Sequence, residues 1–486
     1  MKNHLLKLFL SLLFFLFLFG EMGISAHGEP LRRVKEAVFQ DTLALRNLKR
    51  AMQLTDSALS FYFEGKGMKM SRYYNPFTQT SSSEVGSVWM YGSSMEAVIA
   101  IMKGLVLLKD HGYEVLYDKY FEHYEDLLKQ LYKGANYYLG SFTLTSFTQT
   151  KEWTVYAVNR AEKKGKANVT GVLNVYDDQM WLIRDYIEAY KVTKDKDYLH
   201  RAEYLTAYVL DGWDACRNKK GEEIGGIPWG PGYVTKHACS NGPLISSLVW
   251  FSEYYNGKKD KIIHHYIDKE DRKTRRSRSE FKSDYYLSFA EKIYEWEKNH
   301  LLEIEKGVYR DMMGGCSPCH PEYVKIDRIK YRTSTPLSEP AGPPISYNNG
   351  TMLSGGSSIY QATHKKSYLS DVQRLSDASF RFFAKLGKEV PHHYSYDVSG
   401  FNDWFNAVLL EGYMDVLPLY EGVTTYIESF QKNLDFAYRN YLYEGLLPVN
   451  LLTGWNVDKN KNRIEGMFIF AYAKEYALLS QYKLKQ

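Results

Sequence analysis

The sequence predicts an all-α protein built from repeated helical hairpins. Apolar residues recur at steps of three and four over most of the chain, which is the spacing of amphipathic helices. Strand-like alternation of Val, Ile and Thr appears only near 142–150 and 153–157, where it predicts a hairpin. Because helices follow one another without strands between them, parallel βα units are excluded. The helical pattern covers residues 31–63, 92–109, 113–139, 179–191, 196–211, 243–256, 283–305, 351–362, 367–386, 403–418, 426–443 and 465–481.

Two helical stretches resemble each other at a separation of 170 or 171 residues. Tyr176-Asp-Asp-Gln is followed by Tyr190, Thr193 and Tyr198, and Tyr347-Asn-Asn-Gly by Tyr360, Thr363 and Tyr368. Each stretch predicts a loop, a helix, a short turn and a second helix. Such hairpins within one domain over 27–486 are typical of an α/α toroid, in which loops at one end form a cleft. A superhelical stack would give a similar pattern.

The first 26 residues have the pattern of a secretory signal. Lys2 and Lys7 precede the apolar run from Leu8 to Gly20, which is shorter than the ~20 residues that span a bilayer. Small residues up to Ala26 follow, as at a cleavage site. We expect an exported, soluble protein with no stable membrane insertion, and an uncleaved anchor is the alternative. Periplasm, cell surface and medium are not distinguished.

Composition excludes a disordered chain, a collagen and an array of transmembrane helices. An apolar fraction of 44% with 24% charged residues is ordinary for a soluble globular protein. A formal net charge of +5 over 486 residues provides no overall field that would recruit nucleic acid, so no nucleic-acid partner is expected. Basic residues concentrate at 257–282, where interspersed acids favour a solvated loop insertion over a contact with a polyanion.

Four cysteines leave their chemistry open. Cys216, Cys239, Cys316 and Cys319 allow three disulfide pairings, and an exported chain makes disulfides possible. Cys316-Ser-Pro-Cys319-His320 also matches the pattern of covalent haem attachment, but it occurs once, in a Gly- and Pro-rich loop. A structural pair or free thiols are favoured over haem or zinc.

Two adjacent acids lie where a helix is predicted to begin. Asp177 and Asp178 precede the helix that starts near Gln179, a position at which carboxylates commonly cap the helix and complement its dipole. Glycoside hydrolysis also requires two carboxyl groups. Neighbouring Cα atoms are about 3.8 Å apart, so flexible side chains can reach the ~5–5.5 Å separation of a retaining enzyme. The ~6.5–9.5 Å separation of an inverting enzyme is harder for neighbours to reach, but a carboxylate elsewhere in the chain could supply it.

An aromatic loop follows the helices predicted over 179–191 and 196–211. Gly225-Gly226-Ile-Pro-Trp229-Gly-Pro-Gly232-Tyr233 holds two aromatic side chains among glycines and prolines. Aromatic faces with polar edges suit sugar rings as well as packing. Asn and Lys side chains that follow could bind sugar hydroxyls.

These features belong to a larger set of motifs: Ser87-Val-Trp89, Tyr176-Asp177-Asp178-Gln179-Met180-Trp181, Gly225-Gly226-Ile227-Pro228-Trp229, Lys236 with Ser240-Asn241-Gly242, Tyr347-Asn348-Asn349-Gly350 and Phe401-Asn-Asp403-Trp404-Phe405. Together they resemble glycoside hydrolase family 76, whose characterised members include endo-α-1,6-mannanases. The resemblance spans roughly residues 85–415. The chain departs from the family pattern at Gln179-Met180, at 257–282 and around Cys316, which leaves substrate length and branch tolerance open.

The resemblance implies an (α/α)6 barrel and retaining hydrolysis without a metal or cofactor. It implies Asp177 as the nucleophile and Asp178 as the general acid/base. The candidate substrate-binding residues are Trp89, Trp181, Trp229, Tyr233, Asn241, Asn348 and Trp404. The expected partner is α-mannan or a manno-oligosaccharide, and the chain is expected to be a monomer.

Three functions follow from these observations. The first is an endo-acting α-1,6-mannanase that cuts the mannan backbone internally. The second is a transglycosylase that moves glycans between acceptors. The third is a non-catalytic glycan-binding protein, against which the two mutually repelling acids argue, because a binder gains nothing from them.

Overall fold

The computed structural model describes residues 42–314 and 320–485. These residues form twelve α-helices: α1 Leu43–Tyr62, α2 Val88–Asp110, α3 Glu114–Ala135, α4 Tyr176–Thr193, α5 Lys196–Asp211, α6 Gly242–Tyr255, α7 Lys282–Leu301, α8 Ser346–Thr363, α9 Lys366–Phe383, α10 Asn402–Val416, α11 Thr424–Tyr441 and α12 Gly466–Lys485.

Short antiparallel strands lie in the connections between helices. They are β1 Phe63–Glu64, β2 Lys69–Met70, β3 Tyr73–Asn75, β4 Thr80–Ser81, β5 Leu139–Thr145, β6 Thr150–Tyr156, β7 Lys236–His237, β8 Lys261–Ile267, β9 Arg275–Phe281, β10 Leu302–Glu303, β11 Val308–Tyr309, β12 Met312–Met313, β13 Tyr323–Ile326, β14 Ile329–Arg332, β15 Pro340–Ala341, β16 Lys385–Leu386, β17 Tyr394–Ser395 and β18 Ile464–Glu465. Most pair as two-stranded hairpins, while β15-β12-β7 and β18-β3-β4 form three-stranded sheets.

The helices form an (α/α)6 barrel. The even-numbered helices contact one another in a closed ring, α2–α4–α6–α8–α10–α12 and back to α2. Each odd-numbered helix packs outside this ring against a sequence neighbour, and α1 packs against α12, so that the last helix closes the barrel with the first. The all-α prediction and the barrel are confirmed.

The inner helix α2 is largely apolar because it is covered on most sides. Helix α2 is long and apolar enough to cross a membrane, but 83% of its most apolar window is buried inside the protein. It is therefore a core helix of a globular fold.

The internal similarity has a structural explanation. Helices α4 and α8 both end on a residue in the left-handed conformation, Lys194 with φ 62° and His364 with φ 56°. Thr193 and Thr363 donate through Oγ1 to the carbonyls of Ala189 and Ile359. The repeated Tyr, Thr and Tyr positions therefore mark the same inner-to-outer helix turn twice.

Two expectations about loops were wrong. Tyr176-Asp-Asp-Gln and Tyr347-Asn-Asn-Gly are not loops but lie at the first turns of α4 and α8. The segment 257–282 is not an irregular loop, because strands β8 and β9 pair antiparallel over seven residues each, from Lys261↔Phe281 to Ile267↔Arg275. The hairpin predicted near 142–157 is present as β5–β6, with Leu139 opposite Tyr156.

Some predictions fall outside the described residues. The signal segment 1–26 and the beginning of the helix predicted over 31–63 lie there, as do Cys316 and Cys319. Cys216 and Cys239 are described, and both are free thiols.

Candidate active site

Four inner helices carry the candidate site residues in their first turns. Trp89 is the second residue of α2, Asp177 of α4 and Tyr347 of α8, and Trp404 is the third residue of α10. The site therefore lies at the N-terminal end of the inner helices. Helix N-termini favour negative charge, so this end of the barrel is suited to carboxylates.

The acid pair occupies the first turn of α4. Val175 is extended at φ −118° and ψ 143°, and helical geometry begins at Tyr176. The backbone N–H of Tyr176 donates to the carbonyl of Trp229 at 2.8 Å, which fixes the aromatic loop to the start of the helix. The Asp177 side chain is partly exposed, whereas Asp178 is only 7% exposed.

A chain of hydrogen bonds ends on Asp177. The indole N–H of Trp181 donates to Oη of Tyr347 at 2.7 Å, and this Oη donates to Oδ1 of Asp177 at 2.7 Å. Because a tyrosine hydroxyl has a single proton, occupying its acceptor side with Trp181 directs that proton to the carboxylate. The arrangement stabilises the ionised form of Asp177.

Aromatic rings pack beside this chain. Trp404 makes edge contacts with Trp181 and Trp89, with ring centroids 4.5 and 5.2 Å apart. The Tyr347 ring lies 5.6 Å from Trp404. Trp181 and Trp404 are almost fully buried, and Trp89 is partly exposed. The buried rings of Trp181, Tyr347 and Trp404 thus form the aromatic floor of the site. Trp89 lies at the edge of this floor and is partly exposed.

The loop after α5 is held rigidly. Gly225 and Gly226 have φ of 73° and 74°, and a Cβ on Gly226 would lie 2.4 Å from the Trp296 ring, so both the conformation and the packing require glycine. The Asn241 amide accepts from Ile227 N–H at 2.9 Å and donates to the carbonyls of Ile227 and His237 at 3.1 and 2.7 Å. Asn241 is fully buried, so its contacts brace the loop.

A buried ion pair fixes the other side of this loop. Nζ of Lys236 lies 2.8 Å from Oδ2 of Asp214 and donates to the Gly225 carbonyl at 2.6 Å. The Trp229 ring then stacks on His237 at 4.9 Å and packs against Tyr233 at 4.7 Å. Trp229 and Tyr233 are partly exposed, which leaves ring surface for a ligand.

Two further groups beside Asp177 were missed by the sequence analysis. Strand β7 pairs with β12, Met312 opposite His237, which brings Asp311 to within 3.9 Å of the His237 ring. The Cys239 thiol, in a 3-10 turn at Ala238–Ser240, hydrogen-bonds to Asp177. No local motif signals Asp311, because a pairing between distant segments places it there.

The two acids of the pair differ in proton affinity. Burial raises the pKa of Asp177 to about 6, hydrogen bonds from Tyr347 and Cys239 oppose the rise, and the Asp311 charge adds to it. Burial, and then repulsion by the Asp177 charge, raises the pKa of Asp178 well above its usual range. Burial also lowers the pKa of His237 to about 4, so this ring is neutral near pH 7. Between pH 6 and the pKa of Asp178, one acid is ionised and the other holds a proton.

Several predicted site residues carry a buried polar atom that lacks a hydrogen-bond partner among the described residues. These atoms are Nε1 of Trp89 and Trp404, Oδ1 of Asn348 and Oδ2 of Asp178. Buried polar atoms are nearly always satisfied, so each of these exceptions requires an explanation. A bound polyhydroxylated molecule or ordered water would supply the missing partners.

No metal centre accompanies the pair in the part of the chain that the structure describes. There, no group of three or more His, Cys, Asp or Glu side chains is arranged to hold a metal ion.

A carboxylate and a protonated carboxyl group beside aromatic rings, at one end of an (α/α)6 barrel, define a glycoside hydrolase. The model of glycosyl hydrolase family 76 matches residues 48–256 and 277–439, and the chain belongs to this family. A search of curated proteins gave no match.

Solved structures share the fold. A family 76 mannosidase of Bacteroides thetaiotaomicron is 19% identical with a TM-score of 0.63, over 90% of this chain and 99% of its own. An inactive α-1,6-mannanase variant of Salegentibacter sp., in complex with α-1,6-mannotriose, is 16% identical with a TM-score of 0.55, again over 90% and 99%. A second inactive variant of that enzyme, in complex with α-1,6-mannotetrose, is 17% identical with a TM-score of 0.57 over the same shares.

Proposed function

We propose that this protein is an endo-acting α-1,6-mannanase that hydrolyses the mannan backbone with retention of configuration. Membership of family 76 supports a glycoside hydrolase, and the Salegentibacter relative is an α-1,6-mannanase that binds α-1,6-linked mannose oligomers. That relative is described as inactive when two consecutive aspartates are replaced. In this chain the corresponding chemistry falls to Asp177 and Asp178.

The observation that carries the assignment of roles is the asymmetry of the pair. Asp177 accepts a hydrogen bond from Tyr347, whereas Oδ2 of Asp178 has no partner. The pKa of Asp177 is about 6, and that of Asp178 is higher. Near pH 7, Asp177 is therefore the nucleophile and Asp178 the proton donor.

In the first step, an Asp177 carboxylate oxygen attacks the anomeric carbon of the bound mannose unit. Asp178 gives its proton to the departing glycosidic oxygen, so the aglycone leaves as an alcohol and a mannosyl ester forms on Asp177. The charge of Asp177 is then neutralised. This removes the repulsion that had raised the pKa of Asp178, and the Asp178 carboxylate becomes a weaker base suited to the second step.

In the second step, Asp178 takes a proton from a water molecule, whose oxygen attacks the same anomeric carbon. The ester bond breaks and Asp177 is restored as a carboxylate. Two displacements at one carbon return the original configuration. Trp89, Trp229 and Tyr233, the aromatic residues of the site that are partly exposed, offer ring faces on which sugar units can stack.

The test is chromatography of the products from linear α-1,6-mannan treated with purified protein and with Asp177→Asn. We expect a ladder of manno-oligosaccharides from the wild type and intact polymer from the variant. Products longer than a supplied oligosaccharide would indicate transglycosylation instead. Tight binding without any cleavage would indicate a glycan-binding protein, and either result would overturn the proposal.

The protein is also proposed to act outside the cytoplasm as a monomer. The charged and apolar pattern of residues 1–26 supports export, because it matches a cleavable signal. N-terminal sequencing of protein from the exported fraction should begin after Ala26. A protein retained at its full length in the membrane fraction would contradict export, and a dimer mass in size-exclusion chromatography with light scattering would contradict the monomer.

A further inference from the structure

A small pocket lies beside the first turn of α10, between α10, α11, α12 and their connections. It has a volume of about 40 Å³, and Ser395, Asp403, Asn433 and Glu475 line it. A cavity needs roughly 10–15 Å³ of such volume to hold one water molecule. The space is therefore sufficient for one ion with one or two waters, and too small for a sugar.

Three oxygens of this cavity lack hydrogen-bond partners, although the Asp403 carboxyl group also makes a hydrogen bond with Tyr472. Oδ2 of Asp403, Oγ of Ser395 and Oδ1 of Asn433 have no hydrogen-bond partner among the described residues, and each side chain is more than nine-tenths buried. The orientation of Asn433 is fixed because its Nδ2 donates to the Tyr394 carbonyl at 2.7 Å. Its Oδ1 is thus left as an acceptor without a donor.

The described residues that line the cavity supply two buried acidic side chains and no cationic one. Asp403 and Glu475 are both 3% exposed, and none of the described residues that line the cavity is Lys, Arg or His. The neighbouring Lys474 points elsewhere, since its Nζ contacts Glu96 at 3.0 Å and Glu411 at 2.8 Å. Two buried carboxyl groups without a cation are costly unless they are protonated or bind an ion.

We propose that this cavity is a binding site for one calcium ion, with Asp403, Glu475, Asn433 and Ser395 as protein ligands. Calcium binds through oxygen ligands alone, in flexible geometry, and combines carboxylates with neutral amide and hydroxyl oxygens and water. Magnesium requires near-ideal octahedral geometry and gives up its waters reluctantly. A dication also matches the charge of two carboxylates.

The position of the site gives the ion a structural role. Asp403 lies in the first turn of α10, next to Trp404, which packs on Trp181. Glu475 comes from the middle of α12, and Asn433 from α11. Calcium would therefore join three helices next to Trp404, without taking part in the reaction.

The experiment uses full-length protein treated with EDTA and dialysed. Isothermal titration with CaCl2 should show one ion per chain, and thermal unfolding should show a calcium-dependent rise in Tm of a few degrees. MgCl2 at the same concentration should give no such rise. Absence of both heat and a Tm shift at millimolar calcium would overturn the proposal, and the cavity would then hold water and protonated carboxyls.

Two variants locate the binding. Asp403→Asn should abolish it, and Ser395→Ala, which removes one neutral ligand with little change in packing, should weaken it roughly tenfold. Ser395→Ala carries the test if Asp403→Asn fails to fold. Asp268→Asn, in the exposed β8–β9 hairpin, is the matched control and should bind as the wild type does. Unchanged affinity in Ser395→Ala and Asp403→Asn would place the ion elsewhere and refute the site.

Discussion

Replacing Tyr347 by Phe removes one hydrogen bond from the proposed nucleophile and leaves the aromatic ring in place. In the structure, Oη of Tyr347 donates to Oδ1 of Asp177 at 2.7 Å and accepts from Nε1 of Trp181 at the same distance. Tyr347→Phe therefore destabilises the ionised form of Asp177 and leaves the Trp181 indole N–H without an acceptor. We expect two separable effects, one on the pH dependence of activity and one on stability.

The size of the first effect follows from the charge of the acceptor. A hydrogen bond to a charged group contributes ~1.5–3 kcal/mol, and one pKa unit corresponds to ~1.4 kcal/mol. Losing the bond should raise the pKa of Asp177 by roughly 1–2 units from its value of about 6. Because the nucleophile must be ionised, activity that the wild type loses as pH falls through 6 should already be lost at about 7–8 in the variant.

The assay is kcat/KM on a soluble α-1,6-linked manno-oligosaccharide from pH 4.5 to 9. At pH 5 the variant should be roughly 10–100-fold slower than the wild type, with a smaller difference at pH 8. Tyr138→Phe is the matched control, since it also loses a buried hydrogen bond, to the Gly86 carbonyl at 2.7 Å, but does not touch Asp177. An unchanged acid limb in Tyr347→Phe, or an equal shift in Tyr138→Phe, would refute the reasoning.

Three further substitutions test other parts of the site. Asp178→Asn should lower kcat by roughly 10²–10⁴-fold on substrates with poor leaving groups, and full activity in kinetic assays would exclude it as the proton donor. Lys236→Met leaves Asp214 as an uncompensated buried charge and should lower the free energy of unfolding by ~3–5 kcal/mol. Urea denaturation measures this change, and an unchanged free energy of unfolding would show that the Lys236–Asp214 ion pair is not buried in solution. Trp404→Ala opens a cavity beside Trp181 and should cost ~3–5 kcal/mol, with a fall in Tm as the readout and an unchanged Tm as the contrary result.

The sequence predicted the inner and outer helices because burial leaves a periodic trace in each of them. It failed at the beginning of α8, since Tyr347-Asn-Asn-Gly contains weak helix formers. Tertiary packing overrides this preference: a Cβ on Gly350 would lie 2.4 Å from the Val408 carbonyl, so glycine is required where α8 and α10 approach each other. Gly350, which indicated a loop in the sequence, is required for the packing of two helices.

The site was predictable where its residues belong to contiguous motifs. Asp177 and Asp178 are adjacent in sequence, and the loop that carries Trp229 can be recognised from its glycines and prolines. Asp311 could not be found in this way, because only the pairing of β7 with β12 brings it beside His237. Asn241 was predicted to bind substrate from its motif, and that prediction is untested; its buried amide is engaged in bracing the loop.

The most direct test of the central claim is the configuration of the first-formed product, followed by proton NMR during hydrolysis of α-1,6-linked mannan. Action of Asp177 as nucleophile and Asp178 as acid/base predicts that the new reducing ends appear first as the α-anomer and reach the α/β equilibrium only later. Initial appearance of the β-anomer would show a single displacement by water, and would contradict the assignment of the adjacent pair.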